Sequence, residues 1–172
     1  ADRFYHLEER LRGYGALRGE GEPLLCPRPA IERGPLTDDG SLTLEIYASL
    51  RSPYTSIIFD EAVALAKDTG VKMVMCPVLP MVMRGVPATR QKGWYIFFDT
   101  SREAAALGLD WGPFYDPIGD PVRNCYSLYP WACEKGRGTE LLSCFLQAAF
   151  FEGVNTNRDS GMRRVVESAG LS

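Results

Sequence analysis

Histidine is almost missing from this chain. His6 is the only one in 172 residues, which excludes a His-rich zinc or iron site. No C-x-x-C pair occurs among the five cysteines, Cys26, Cys76, Cys125, Cys133 and Cys144, so a dithiol redox centre has no sequence basis. An odd cysteine count without a charged-to-apolar signal pattern argues against a disulfide framework and leaves free thiols as the expectation. Cys125 and Cys133 also lack zinc-knuckle spacing, so no metal is expected. Long apolar runs are absent: the longest, Leu141 to Phe151, is interrupted by Ser143, Cys144 and Gln147, far short of a membrane span. Positive charge is not in excess, with 19 Lys and Arg against 22 Asp and Glu, and the basic window from Arg84 to Lys92 is short. Neither nucleic acid nor membrane is an expected partner, and the expected setting is the cytoplasm.

What is present suits one well-buried core. Phe4, Leu7, Leu11 and Tyr14 fall at helical spacing and predict an amphipathic helix over residues 3–17, weakened at Gly13 and Gly15. Residues 18–40 are rich in Gly, Pro, Glu and Asp and read as a linker ending at Asp38-Asp39-Gly40. Leu42, Leu44 and Ile46 then alternate with Thr43, Glu45 and Tyr47, the pattern of a half-buried strand. After Leu50-Arg51-Ser52-Pro53, a helix is expected over 54–68, with Ile58, Ala62, Leu65 and Ala66 buried and Gly70 as its C-terminal cap. A second strand over 71–77, with Cys76 as a buried thiol, completes a right-handed βαβ unit with parallel strands. From Met81 the pattern turns to loop and then helix. Thr100-Ser101-Arg102-Glu103 has the form of a capping box opening a short helix to Leu107. Further helices are expected over 122–135, 139–151 and 158–169, the first kinked or split at Pro130, with Cys125, Cys133 and Cys144 in the helical core. The expected organisation is a helix over 1–17, a linker over 18–40, a βαβ half over 41–80 and a helical region over 81–172, an α/β chain whose sheet is incomplete within the sequence.

The segment Tyr47 to Tyr54, YASLRSPY, resembles the strand, S-P-Y, helix opening of one branch of the DsbA-like superfamily. That branch contains the kappa-class glutathione transferases and the 2-hydroxychromene-2-carboxylate isomerases. Pro77-Val78-Leu79, followed by Gln91-Lys92-Gly93-Trp94-Tyr95, resembles the post-strand loop and K-G-x-Y segment of that branch. The helical run ending Glu167-Ser168-Ala169-Gly170-Leu171 resembles its inserted helical domain. The likeness spans residues 42–172 and implies a thioredoxin-like fold with a helical insertion over 81–172. In such proteins the chain returns to the sheet after the helices, and no such segment follows Ser172. Asp2-Arg3 and the helix after them resemble the segment with which the family ends, so residues 1–17 are expected to be the tail of a preceding DsbA-like domain. A tandem protein is the expectation, with a second chain fragment or a homo-oligomer completing the sheet as the alternatives.

Ser52 is the chemical focus. It lies at a strand's carboxyl end and a helix N-terminus, where free N–H groups and the helix dipole stabilise an anion; serine is also a favoured plain helix cap there. Ser52-x-x-Thr55 occupies the C-x-x-C slot without sulfur, so no mixed disulfide can be resolved. The resemblance implies that Ser52 holds the sulfur of glutathione ionised and that Lys92 binds one of its carboxylates. It also implies that Asp2 and Arg3 grip a glutamyl end, in a preceding domain's site. Tyr54 is a candidate hydrogen-bond donor into the pocket, and Thr55, Trp94, Arg84 and Arg90 are candidates to line it. Asp99, Asp116 and Asp120 read as caps and loop residues. The function so implied is a glutathione-dependent isomerase or transferase acting on a small electrophilic or aromatic substrate. The rival is a catalytically silent thioredoxin-like scaffold or partner-binding domain, suggested by the lack of the family's asparagine in Arg84-Gly85-Val86-Pro87-Ala88. A serine hydrolase is disfavoured, since Ser52 lacks a G-x-S-x-G elbow and His6 lies across a linker.

Overall fold

A computed structural model describes residues 3–16, 21, 23–30, 34 and 37–172 of the chain. They divide into two units, one ending at Leu36 and one beginning at Thr37. In the first unit, helix α1 runs from Phe4 to Gly13, and the Glu8 carboxylate accepts the N–H groups of Leu25 at 3.1 Å and Cys26 at 2.6 Å. The Arg28 guanidinium sits 4.6 Å from the centre of the Tyr5 ring. Tyr5 is the buried residue of this helix, whereas Phe4, Leu7 and Tyr14 are more than half exposed. The apolar stripe expected from the spacing is therefore not a buried face.

The second unit is a helix-rich α/β arrangement. Leu44 and Ile46 are half-buried while Thr43 and Glu45 face water, which follows from the two-residue period of strand β1, Thr43–Ile46. Strand β2, Lys72–Met75, pairs with it in parallel, with Thr43 opposite Lys72 and Ile46 opposite Met75. Helix α2, Pro53–Thr69, makes the crossover and stops at Gly70, whose φ of 72° is left-handed and suits glycine. A 3₁₀ turn at Met81–Arg84 leads to α3, Arg90–Ala106. Then come α4, Asp120–Glu134, α5, Gly138–Phe150, and α6, Asp159–Ser168. Helix α5 is apolar nearly all round and packs against α2, α4 and α6. Its Leu141, Leu142, Phe145 and Phe150 join Leu50, Phe59, Val122, Cys125 and Val165 in one core cluster, so the βα and helical segments share a core. No helix among the described residues is long and apolar enough to cross a membrane.

Several local expectations are corrected. Helix α2 buries Ser56, Ile57, Phe59 and Ala66, while Ile58 and Leu65 lie outside at 61% and 51% exposure. Two neighbouring stripes of this helix are apolar, so periodicity alone could not choose between them. Helix α3 begins ten residues before the anticipated capping box. Thr89 is its cap, accepting the Lys92 N–H at 3.2 Å, and Thr100 is fully buried within the helix. Thr and Glu three apart also share one face in a helix interior. Pro130 removes one helical N–H from α4 without splitting it. Cys125 is fully buried, which pushes its thiol well up, but Cys133 is exposed and Cys76 and Cys144 are half-buried.

Candidate functional site

The loop between β1 and α2 turns inward at Leu50, which has no exposed surface, and presents Ser49, Arg51 and Ser52. Ser52 adopts extended backbone angles (φ −88°, ψ 117°), and its Oγ accepts the Thr55 N–H at 3.3 Å. This is the N-cap arrangement, and Pro53 in the first turn sacrifices no hydrogen bond there. The Ser52 N–H donates to the Ser49 carbonyl at 2.9 Å, and the Ser52 carbonyl accepts the Ser56 N–H at 3.2 Å. The Ser52 hydroxyl hydrogen has no acceptor among the described residues. Ser52 is thus held as an acceptor by its own helix and remains a donor toward its surroundings.

Those surroundings form a cavity of about 370 Å³ bounded by the Ser52 loop, the 3₁₀ turn, α3 and the loop before α4. Pro80, Met81, Val82, Ile96, Phe97 and Phe114 make its walls mostly apolar. The aromatic side continues behind the wall: the Phe97 ring lies 5.0 Å from that of Trp111, and Phe114 stacks on Phe150 at 5.2 Å. Polar groups are few. Arg51 meets Asp116 in a two-point contact, Nε to Oδ1 and Nη2 to Oδ2, both at 2.7 Å. The hydrogen bond that Arg51 donates to Asp116, more than the carboxylate's charge, raises the Arg51 pKa above its ordinary value, with burial opposing the rise. Lys92 is exposed and also lines the cavity. The Tyr54 hydroxyl donates to Asp99 Oδ2 at 2.7 Å, and Arg102 donates to Asp99 Oδ1 at 3.2 Å. At 1% exposure Asp99 is a buried carboxylate satisfied by donors.

Of the residues singled out from sequence, Ser52, Tyr54 and Lys92 line this one cavity. Thr55 is half-buried and contributes its backbone N–H to Ser52. Trp94 is not on the cavity wall; it is half exposed and stacks on Phe98 at 5.7 Å. Arg84 and Arg90 do not line the cavity either. Arg3 belongs to the first unit, where its Nη1 donates to the Tyr5 hydroxyl at 2.9 Å, and Asp2 lies outside the described residues. Sequence reasoning missed Arg51, Asp116, Phe97 and Phe114 as cavity residues and Asp99 as the partner of Tyr54. An arginine beside the motif serine was the one visible signal.

A second hollow, of about 460 Å³, carries Asp60, Glu61, Asp110 and Glu152. Asp60 accepts from Ser143 at 2.6 Å and Glu152 from Arg164 at 2.6 Å, so two of its carboxylates already have donors. Among the described residues no three His, Cys, Asp or Glu side chains are grouped to hold a metal ion. No protein-family model matches the chain, and neither does any curated protein or solved structure.

Proposed function

We propose that this is a thioredoxin-like protein of the DsbA-like, kappa-transferase and 2-hydroxychromene-2-carboxylate isomerase type, a cytoplasmic glutathione-dependent isomerase or transferase acting on a small electrophilic or aromatic substrate. One observation carries the reading: Ser52 caps α2 with no acceptor for its hydroxyl hydrogen among the described residues, and it lines a cavity that is apolar and aromatic on its walls. A donor at a helix N-terminus stabilises an anion in front of it. A free thiol with a pKa of about 8.5 is largely protonated at neutral pH, so such a donor favours its reactive form.

The residues present fit glutathione. The Ser52 hydroxyl would donate to its sulfur and Lys92 would meet a carboxylate, while Ile96, Phe97 and Phe114 provide apolar surface for a substrate and exclude water from the sulfur. Glutathione, when bound, supplies the thiol nucleophile. Ser52 would hold that sulfur ionised without needing a second thiol, and the Thr55 N–H holds the Ser52 hydroxyl oxygen in its capping position. The Tyr54 hydroxyl, donating to Asp99, offers the cavity an acceptor rather than a donor. The same reading has a tandem domain, second chain or further copy complete the sheet, since two strands alone are marginal and leave edges unpaired.

Calorimetric titration of the protein with glutathione tests this. We expect saturable heat and an ultraviolet thiolate band in the complex, and Ser52→Ala should abolish the band while costing about 1 kcal/mol of stability as a lost cap. Absence of heat from folded protein rejects the enzyme reading. The silent partner-binding scaffold then stands, and a specific observation favours it: Trp94, Tyr95 and Phe98 on α3 are each more than half exposed, an unusual aromatic display for a surface without a partner.

A further inference from the structure

Backbone groups from two loops meet at one hydroxyl. Tyr126 on α4 donates to the Ala48 carbonyl at 2.7 Å, lies 3.3 Å from the Val78 carbonyl and accepts the Leu50 N–H at 3.3 Å. Ala48 and Leu50 lead into the turn that presents Ser52, and Val78 leads into Pro80 and Met81 on another wall of the same cavity. The two loops are joined directly by a single backbone bond, Val78 N–H to Ala48 carbonyl at 2.9 Å.

We infer that Tyr126 is a positioning residue for Ser52: its hydroxyl fixes the Ser52 turn to the post-β2 loop and so aims the serine into the cavity. This rests on the reading that Ser52 engages a thiol sulfur. The alternative fastening of that turn, Arg51 to Asp116, has side chains 32% and 37% exposed, where water and salt compete with the pair. The Tyr126 contacts are different in kind. Ala48 and Leu50 are 1% and 0% exposed, so water does not readily replace a hydroxyl removed from between them. Tyr126 is also the only side chain among the described residues seen to bond both loops at once. It acts across 76 residues of sequence from Leu50, which ties the geometry of the site to the placement of α4.

Tyr126→Phe keeps the ring and removes the hydroxyl. Hydrogen exchange comes first, on wild type and variant without ligand. The amides of Leu50, Ser52 and Val78 should exchange about tenfold faster in the variant, in line with one lost hydrogen bond, with α5 unchanged. No local change, or an equal acceleration throughout α5, overturns the inference. Glutathione titration of wild type, Tyr126→Phe, Ser52→Ala and the double variant comes second. Tyr126→Phe should weaken binding about tenfold when Ser52 is present and leave it unaltered in the Ser52→Ala background. Equal weakening in both backgrounds means that Tyr126 does not act through Ser52 and also overturns it. If wild type gives no heat, the glutathione reading fails by itself and the exchange data alone decide whether Tyr126 holds the turn.

Discussion

Along α5, Leu141, Leu142, Phe145 and Phe150 have no exposed surface, whereas along α2 one stripe is covered and Ile58 and Leu65 keep more than half of theirs. Both helices are apolar enough to be central. The difference is in their neighbours: α5 is enclosed by α2, α4 and α6, while α2 meets α5 and α3 and touches β2 lightly. Burial of apolar surface is the main favourable term in folding, so stability concentrates around α5. The candidate chemistry sits on the less covered helix, at the end where α2 begins. A well-covered core and a partly open edge around the candidate site is the division of labour expected when a site must admit a ligand.

The sharpest test of that contrast is Phe145→Ala. Removing a fully buried ring should cost about 3–5 kcal/mol, read from chemical denaturation; a value near zero would show that α5 is not the centre of stability. Tyr54→Phe comes next. It takes one donor from a carboxylate that is 1% exposed and should cost about 1–3 kcal/mol in chemical denaturation; no cost would show that this polar link does not anchor the N-terminus of α2. Alkaline titration probes the covered side through ionisation. Burial pushes the Tyr126 phenol from an ordinary 10.0 up to about 12, opposed by the Leu50 N–H, whose hydrogen bond stabilises the phenolate. Above the ordinary value the unfolded chain loses this proton while the folded chain keeps it, so stability falls as pH rises from about 10 to about 12. Below that range this group contributes no pH dependence. Melting temperatures followed against pH should show the decline, and Tyr126→Phe should make it shallower. The smallest effect belongs to Ile58→Ala, expected within about 0.5 kcal/mol. A cost comparable to Phe145→Ala would mean that the outer stripe of α2 is covered in solution.

Much of the architecture was legible because punctuation is strong in the second half of the chain. Gly136 and Gly153 end α4 and α5 within a residue or two of the expected positions, and the alternation of Leu44 and Ile46 marks β1. The start of α3 was not legible, because Thr89 and Thr100 each begin a plausible helix and only packing shows that Thr100 is interior. The site divides in the same way. Ser52, Tyr54 and Lys92 carry a motif and a resemblance, so a reader of the sequence can find them. Asp99 and Asp116 carry neither, since their partners lie 45 and 65 residues away and no periodicity encodes a contact at that separation. Cys133 is expected in the helical core with the other cysteines, yet on the last turn of α4 it is the neighbouring Ala132 that is buried, while Cys133 is exposed.

The short connection between α4 and α5 bears on the order of assembly. Three residues, 135–137, join these helices, so closing that hairpin costs little chain entropy and its contacts are local in sequence. Pairing β1 with β2 instead requires the whole of α2 to be traversed, and bonding Leu50 to Tyr126 spans 76 residues, the kind of distant contact that slows folding. The helical hairpin is therefore expected to form early and to serve as the surface on which the βα half condenses. Substitution at Phe145 should then slow refolding, while removal of the Tyr126 hydroxyl should act chiefly by hastening unfolding, a difference that stopped-flow kinetics reads directly.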